Sequence, residues 1–250
     1  MAGAAILSGL GVLRAGGGLL TIGIVESERR ILTIRLPEAM TLPLPESAKG
    51  HISASARKIV QDYVRRRTIT TLAVGPGLGV GTPQKALVLD LIHNNLPIVL
   101  DADALNNLSL ASFRNKGMAI ITPHPGELAR LLGKSTREVQ KDRIKIAAET
   151  AWRLNVICVL KGHQTVVSDG VRTFLNTTGN QAMATGGMGD VLTGVIAGFL
   201  AQGLSPSDAA CAGVYLHGLA GDLASVSDRG LLASDLAAHI PLALKKIGIH

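Results

Sequence analysis

GNQAMATGGMGDVLTG, residues 179 to 194, is the stretch on which the reading of this chain turns, and the apolar run Val195 to Leu200 follows it directly. Five of its residues are glycine, and one acid stands among them. Gly179, Gly186, Gly187 and Gly189 precede a run with helical composition, and glycines there let backbone N–H groups turn toward a bound anion. A helix N-terminus prepared in this way suits phosphate. Asp190 falls in the first turn, where a carboxylate matches the helix dipole but crowds any phosphate held by the same amides. The placement makes chemical sense if the acid takes the proton of a hydroxyl attacking a terminal phosphoryl group while the amides hold the developing charge. A glycine-rich loop with a capping aspartate would read the same from these residues alone.

Outward from this loop, the composition is that of a layered α/β scaffold. Of 250 residues, 47% are hydrophobic and only 2% aromatic, so the core is built from Ala, Val, Ile and Leu packed closely around 29 glycines. The net charge of +7 suits an anionic partner, yet no Lys/Arg block or aromatic-basic interleaving marks a nucleic-acid surface. Cys158 and Cys211 stand alone in apolar runs, without metal-ligand spacing, and are expected as buried thiols in a reducing compartment. The apolar opening, MAGAAILSGLGVLRAGGGLLTIGIV, is interrupted by Arg14 and by glycines. It reads as core rather than as a leader or membrane anchor.

Ile6, Leu7, Leu10 and Leu13 have helical spacing, Gly16 to Gly18 stop that helix, and Leu19 to Val25 reads as a strand. Ile31 to Leu36 is expected as another strand, and Ile52 to Val64 as an amphipathic helix ending in the dipole partners Arg65 to Arg67. Three strands then deliver polar residues at their carboxyl ends, the edge where doubly wound sheets place ligand loops. Thr71 to Val74 leads into GPGLG (Gly75 to Gly79), Pro97 to Leu100 into Asp101 and Asp103, and Ala119 to Ile121 into TPHPGE (Thr122 to Glu127). Asp101 and Asp103 suit magnesium, directly or through water, and equally suit helix capping.

Ser135 and Glu138 have capping-box spacing ahead of a helix running to about Leu154, whose Lys and Arg residues read as a solvated face. Val156 to Leu160 reads as a buried strand leading into KGHQT (Lys161 to Thr165), where Lys161 offers phosphate a compact charge. Asp169 and Gly170 mark a hairpin turn before Val171 to Leu175. Ser205 and Pro206 open a helix carrying His217, read as structural, and Ser234 and Asp235 are expected to cap the last helix.

With Asn180, Met183, Ala184 and Thr185 upstream of the glycines and Val191 to Gly194 downstream, the central stretch resembles the anion-hole signature of the ribokinase-like superfamily. GPGLG, TPHPGE and KGHQT extend the resemblance from Gly3 onward and direct it to the NAD(P)H-hydrate dehydratases. The resemblance implies an α/β, three-layer ribokinase-like fold with a mainly parallel central sheet flanked by helices, residues 1 to 250 forming a single domain. It implies nucleotide-dependent dehydration of (6S)-NADHX or NADPHX: Asp190 as catalytic base, ADP or ATP as phosphoryl donor, Mg2+ on the phosphates, and elimination of phosphate. On the hydrate side it places Ala4, Gly77, Gly79, His124, Glu127, Asn180 and Asp190. On the nucleotide side it places Lys161, Gly162, His163, Gln164, Thr165, Thr185, Gly186, Gly187, Met188 and Gly189. No metal ligand is assigned.

The resemblance also implies a cytoplasmic homo-oligomer, a homotetramer, with a functional or fused NAD(P)HX epimerase and no nucleic-acid or membrane partner. The strand and glycine turn that precede this segment in the family have no counterpart before Gly3, so about one sheet strand is expected to be missing and an edge exposed. Two other readings stay open. A small-molecule kinase of the vitamin-precursor type would release a stable phosphate ester, and a non-catalytic nucleotide-binding subunit would keep the cradle without turnover.

Overall fold

A computed structural model describes residues 1–113 and 119–248. Helix α1 (Ala2–Arg14) leads to β1 (Thr21–Val25), helix α2 (Arg29–Arg35) and β2 (Met40–Leu44). β1 and β2 form a separate parallel pair, Thr21 opposite Met40 and Val25 opposite Leu44. After α3 (Ala56–Arg66) come β3 (Leu72–Val74), α4 (Thr82–Ile92), β4 (Ile98–Leu100), α5 (Asp103–Asn107) and β5 (Ala119–Ile121). Helices α6 (Pro125–Leu132), α7 (Thr136–Lys141) and α8 (Arg143–Leu154) precede β6 (Ile157–Leu160), β7 (Val166–Ser168) and β8 (Thr173–Leu175). Helices α9 (Met188–Ala201), α10 (Pro206–Ala224) and α11 (Ala233–Lys246) complete the described chain.

The main sheet runs β3-β4-β5-β6-β7-β8, parallel from β3 to β6 and antiparallel thereafter. Successive strand side chains point to opposite faces, so the two faces carry different cores. Ile98, Leu100, Ile121, Cys158 and Leu160 pack with residues of α4 to α8, while Val99, Ile120, Ile157 and Val159 pack with α1, α9, α10 and α11. Burial on both faces is why these strands stand out in the sequence as unbroken apolar runs.

α1 lies against α9 with almost no side chain between them. A β-carbon on Gly194 would fall 1.9 Å from the Ser8 carbonyl oxygen, and one on Gly11 would fall 2.3 Å from that of Val191. This contact holds the start of α9 in place, and α9 carries Asp190.

Several local expectations need correction. Ile31 to Leu36 is helical up to Arg35, because Leu32 and Leu36, four residues apart, bury their side chains while Ile31 and Ile34 stay exposed. The strand that pairs with β1 is instead Met40–Leu44, whose Pro43 is tolerated because among the described residues β2 pairs with one strand only. Ile52 precedes α3 in an isolated bridge to Glu46. The helix expected from Ser135 to Leu154 is two helices, broken where the Asp142 side chain accepts from the Lys145 amide and starts α8. The hairpin across Asp169 and Gly170 joins Val166–Ser168 to Thr173–Leu175 rather than beginning a strand at Val171. Asp235, accepting from the Leu232 amide at 3.2 Å, closes the start of α11, while Ser234 lies inside the helix. Cys158 is fully buried, its thiol pushed up to about 12 by burial, but Cys211 is only half-buried.

Candidate active site at the carboxyl edge of the sheet

The loops after β4 and β6 meet at the N-terminus of α9, and those after β3 and β5 join them through Asp103 and Lys161. Gly187 precedes that helix with φ +89°, and a β-carbon there would strike Leu7 Cδ1 at 2.6 Å. Gly186 faces open space. Gly189 sits above a charged pair, where a β-carbon would stand 3.2 Å from Lys161 Nζ and 3.8 Å from Asp101 Oδ2. Met188 buries its side chain in the core, so only its backbone is available to a ligand.

Asp101 is 1% exposed, and both of its carboxylate oxygens are taken. Oδ1 receives Lys161 Nζ at 2.5 Å, and Oδ2 receives the Thr193 hydroxyl at 2.8 Å. Glu127 Oε2 lies 3.9 Å from the same ammonium. Asp190 follows Gly189, half-buried. Its carboxyl is pushed up to about 6, first by burial and then by the charges of Asp101 and Asp103, with Lys161 opposing. A carboxyl so poised can accept a proton near neutral pH.

The GPGLG turn is held by residues of α5. Asp103 Oδ2 accepts from the Gly79 amide at 2.7 Å, and Asn107 Nδ2 donates to the Gly79 carbonyl at 2.9 Å. Gly77 has φ +69°, and a β-carbon there would lie 2.5 Å from the Met1 carbonyl oxygen and 3.3 Å from Ala4 Cβ, so Ala4 and Gly77 do come together. His51, not anticipated from sequence, stands beside Gly79. Asp103 thus acts as a loop anchor, and Asp101 as the partner of Lys161 and Thr193.

TPHPGE folds as a helix start. His124 Nδ1 accepts from the Gly126 and Glu127 amides at 3.0 and 3.3 Å, and Glu127 Oε2 accepts from the His124 amide at 2.8 Å. This is a capping box with histidine in place of serine, and Pro125 occupies the first turn. Accepting at Nδ1 leaves Nε2 as the nitrogen that carries hydrogen in the neutral ring, and the side chain remains largely exposed.

In KGHQT, the Thr165 hydroxyl donates to the Gly162 carbonyl at 2.9 Å, and His163 and Gln164 are exposed. Asn180 is fastened to α10: its Nδ2 donates to Asp222 Oδ1 at 2.8 Å and to Ser225 Oγ at 3.1 Å, and the Gly179 amide donates to Asp222 Oδ2 at 2.9 Å. Thr185 Oγ1 donates to the Leu231 carbonyl at 3.1 Å. His217, fully buried and pushed down to about 4, chiefly by burial, donates from Nε2 to the Met188 carbonyl at 2.9 Å, a structural role as expected. Among the described residues no group of three or more His, Cys, Asp or Glu is placed to hold a metal ion.

A mainly parallel sheet between two helical layers, with a glycine-led helix start over its carboxyl edge, defines a ribokinase-like α/β protein. The chain belongs to the NAD(P)H-hydrate dehydratase family, whose model matches residues 1–242. It is 37% identical to the ADP-dependent (S)-NAD(P)H-hydrate dehydratase of Bacillus subtilis (strain 168), across 98% of this chain and 86% of that relative. A crystal structure of the Bacillus subtilis ADP/ATP-dependent NAD(P)H-hydrate dehydratase, co-crystallised with ATP/Mg2+, superposes with a TM-score of 0.86 at 36% identity, covering 98% of this chain and 85% of that one. The bifunctional NAD(P)H-hydrate repair enzyme Nnr of Moorella thermoacetica is 40% identical across 99% of this chain but only 48% of its own length. The chain therefore spans about half the length of its bifunctional relatives.

Proposed function

We propose that this chain dehydrates (6S)-NADHX and NADPHX to NADH and NADPH, using ADP or ATP as phosphoryl donor. The observation that carries the reading is Asp190 in the first turn of α9, one residue after Gly189 and with its proton affinity raised to about 6. Asp190 takes the proton of the hydrate hydroxyl as its oxygen attacks the terminal phosphorus. The bond to the bridging oxygen breaks and releases the shortened nucleotide. The ester oxygen then departs with its bonding pair as inorganic phosphate, a better leaving group than hydroxide. Loss of a proton from the neighbouring ring carbon restores the double bond.

Ala4, Gly77, Gly79, His124, Glu127 and Asn180 line the hydrate side in this reading. Lys161 to Thr165 and Thr185 to Gly189 hold the nucleotide, Met188 through its backbone. The residues present fit magnesium as a companion of the nucleotide. Asp101 is committed to Lys161 and Thr193 and Asp190 to the hydrate proton, so Asp103, whose Oδ2 also takes the Gly79 amide, would be the carboxylate on offer to an ion that keeps most of its water. When bound, the ion neutralises charge on the phosphates.

The same reading makes residues 1 to 250 one domain of a cytoplasmic homotetramer, served by an epimerase that is fused or separate. Exposed Ile31, Ile34 and Met40 offer apolar surface for association. Light scattering of the purified protein tests the tetramer. The activity is tested by mixing protein with hydrated NADH, magnesium and either ADP or ATP and following the return of reduced-nicotinamide absorbance. Nucleotide-dependent recovery supports the proposal. Accumulation of a stable phosphate ester points to a kinase, and no turnover in protein that binds nucleotide points to a non-catalytic subunit.

A further inference from the structure

Arg143 is the first residue of α8, at the end of the helix where a cation opposes the dipole. Among the described residues it has no carboxylate partner. It is half-buried rather than part of the solvated face expected for this helix, and its Nε is buried without a hydrogen-bond partner. Its guanidinium instead reaches across to KGHQT. Nη2 donates to the Leu160 carbonyl at 3.0 Å and Nη1 to the His163 carbonyl. Between those two bonds the group lies against Gly162, where a β-carbon would stand 3.0 Å from Nη2 and 3.3 Å from Cζ.

This contact has two consequences for the loop. In a trans peptide the N–H of one residue points opposite to the preceding carbonyl, so drawing the His163 carbonyl onto Arg143 turns the Gln164 amide away from it. Gln164 also holds φ +51°, a left-handed conformation that a non-glycine residue keeps only when its surroundings impose it. The Arg143 charge, without a carboxylate partner, adds a positive field beside the exposed face of the loop.

We infer that Arg143 is a positioning residue for the nucleotide: it clamps Lys161 to Thr165 from behind, so that the loop presents its amides and a positive field to the phosphates of ADP or ATP. The inference rests on the nucleotide-dependent reading above. Gly162 holds φ +143°, which itself favours glycine, and the guanidinium lies close against the position a β-carbon would take.

The test measures KM for ADP and for ATP, KM for the hydrate, and kcat in the unaltered chain and in Arg143→Met, Arg143→Lys and Gly162→Ala. Arg143→Met is expected to raise the nucleotide KM about tenfold or more, the scale of losing charge-assisted hydrogen bonds. At saturating nucleotide, kcat and the hydrate KM should stay within about threefold, since neither reacting group is touched. Arg143→Lys should recover part of the loss, because it keeps the charge and loses the fork. Gly162→Ala, which strains a backbone held at φ +143° and presses on the same guanidinium, should also raise the nucleotide KM. If Arg143→Met does not fold, the lysine variant carries the test. An unchanged nucleotide KM in variants that fold, or an equal rise in both KM values, overturns the inference while leaving the proposed reaction standing. An unaltered chain with no nucleotide-dependent turnover and no binding of ADP or ATP would overturn both.

Discussion

Lys161 Nζ stands 2.5 Å from Asp101 Oδ1, so the lysine at the end of β6 is already paired with a buried acid from the end of β4. Thr193 holds the other oxygen of that acid. The charge pattern beneath Gly189 is therefore a closed set, and Asp190 is positioned over it. Lys161→Met leaves Asp101 charged, buried and unpaired and is expected to cost about 3 to 5 kcal/mol of stability. Asp101→Asn added to Lys161→Met should recover much of that loss. Urea unfolding of the single and double variants checks the pairing, and equal stability of Lys161→Met and the unaltered chain would refute it.

Asp190→Asn is expected to reduce kcat by about a thousandfold while nucleotide binding persists, the scale of removing a general base. In the unaltered chain, activity should fall as pH drops through about 6, where Asp190 takes up its proton. Its folded proton affinity is raised above the ordinary 3.8, so its contribution to stability is present below that value and is lost as pH rises through about 6. Asp190→Asn should accordingly melt higher than the unaltered chain at pH 8, with the gap closing below pH 4. Melting curves across that range read the sign directly.

His217 has the opposite linkage. Its folded proton affinity lies at about 4, below the ordinary 6.5, so the stability it contributes is present above 6.5 and lost as pH falls toward 4. In an Asp190→Asn background, which removes the opposing trend, His217→Gln should flatten the fall in melting temperature between those two values. An unchanged slope would mean that His217 does not titrate as its burial demands.

Gly194→Ala should destabilise the fold by about 3 kcal/mol or more, because a methyl group would meet the Ser8 carbonyl backbone at 1.9 Å and α1 cannot yield without moving off α9. Gly186→Ala, facing open space, should change stability by no more than about 0.5 kcal/mol. Comparing the two by chemical denaturation separates the packing glycines of this stretch from those that only shape the loop.

Much of the fold was legible because its strands are buried on both faces. Ile98–Leu100, Ala119–Ile121 and Ile157–Leu160 read as apolar runs, each closed by a polar loop. The Ser135 and Glu138 box formed as its spacing required, a local device complete within four residues. Ile31 to Leu36 reads as a strand because its β-branched residues favour one, while burial of Leu32 and Leu36 in a cluster with Ala2 and Ile24 imposes a helix. His124 is expected from sequence on the hydrate side of its loop, whereas its cap on α6 depends on how the ring turns. Arg143 and Asp222 carried no local signal at all: each acts on a loop supplied by another element.

The sequence by itself determined the alternation of strands and helices, the glycine-led start of α9 and the place of Asp190 within it, because these follow from hydrophobic period, backbone freedom and the helix dipole, all of which act over a few residues. Only the tertiary structure decided that Lys161 is paired with Asp101, 60 residues earlier in the chain, that Asp103 anchors the Gly79 turn, and that Arg143 braces KGHQT. The physical reason is that a buried charge takes whatever partner the packed sheet edge brings within hydrogen-bond reach, and that choice is made between strand ends that are neighbours in space and strangers in sequence.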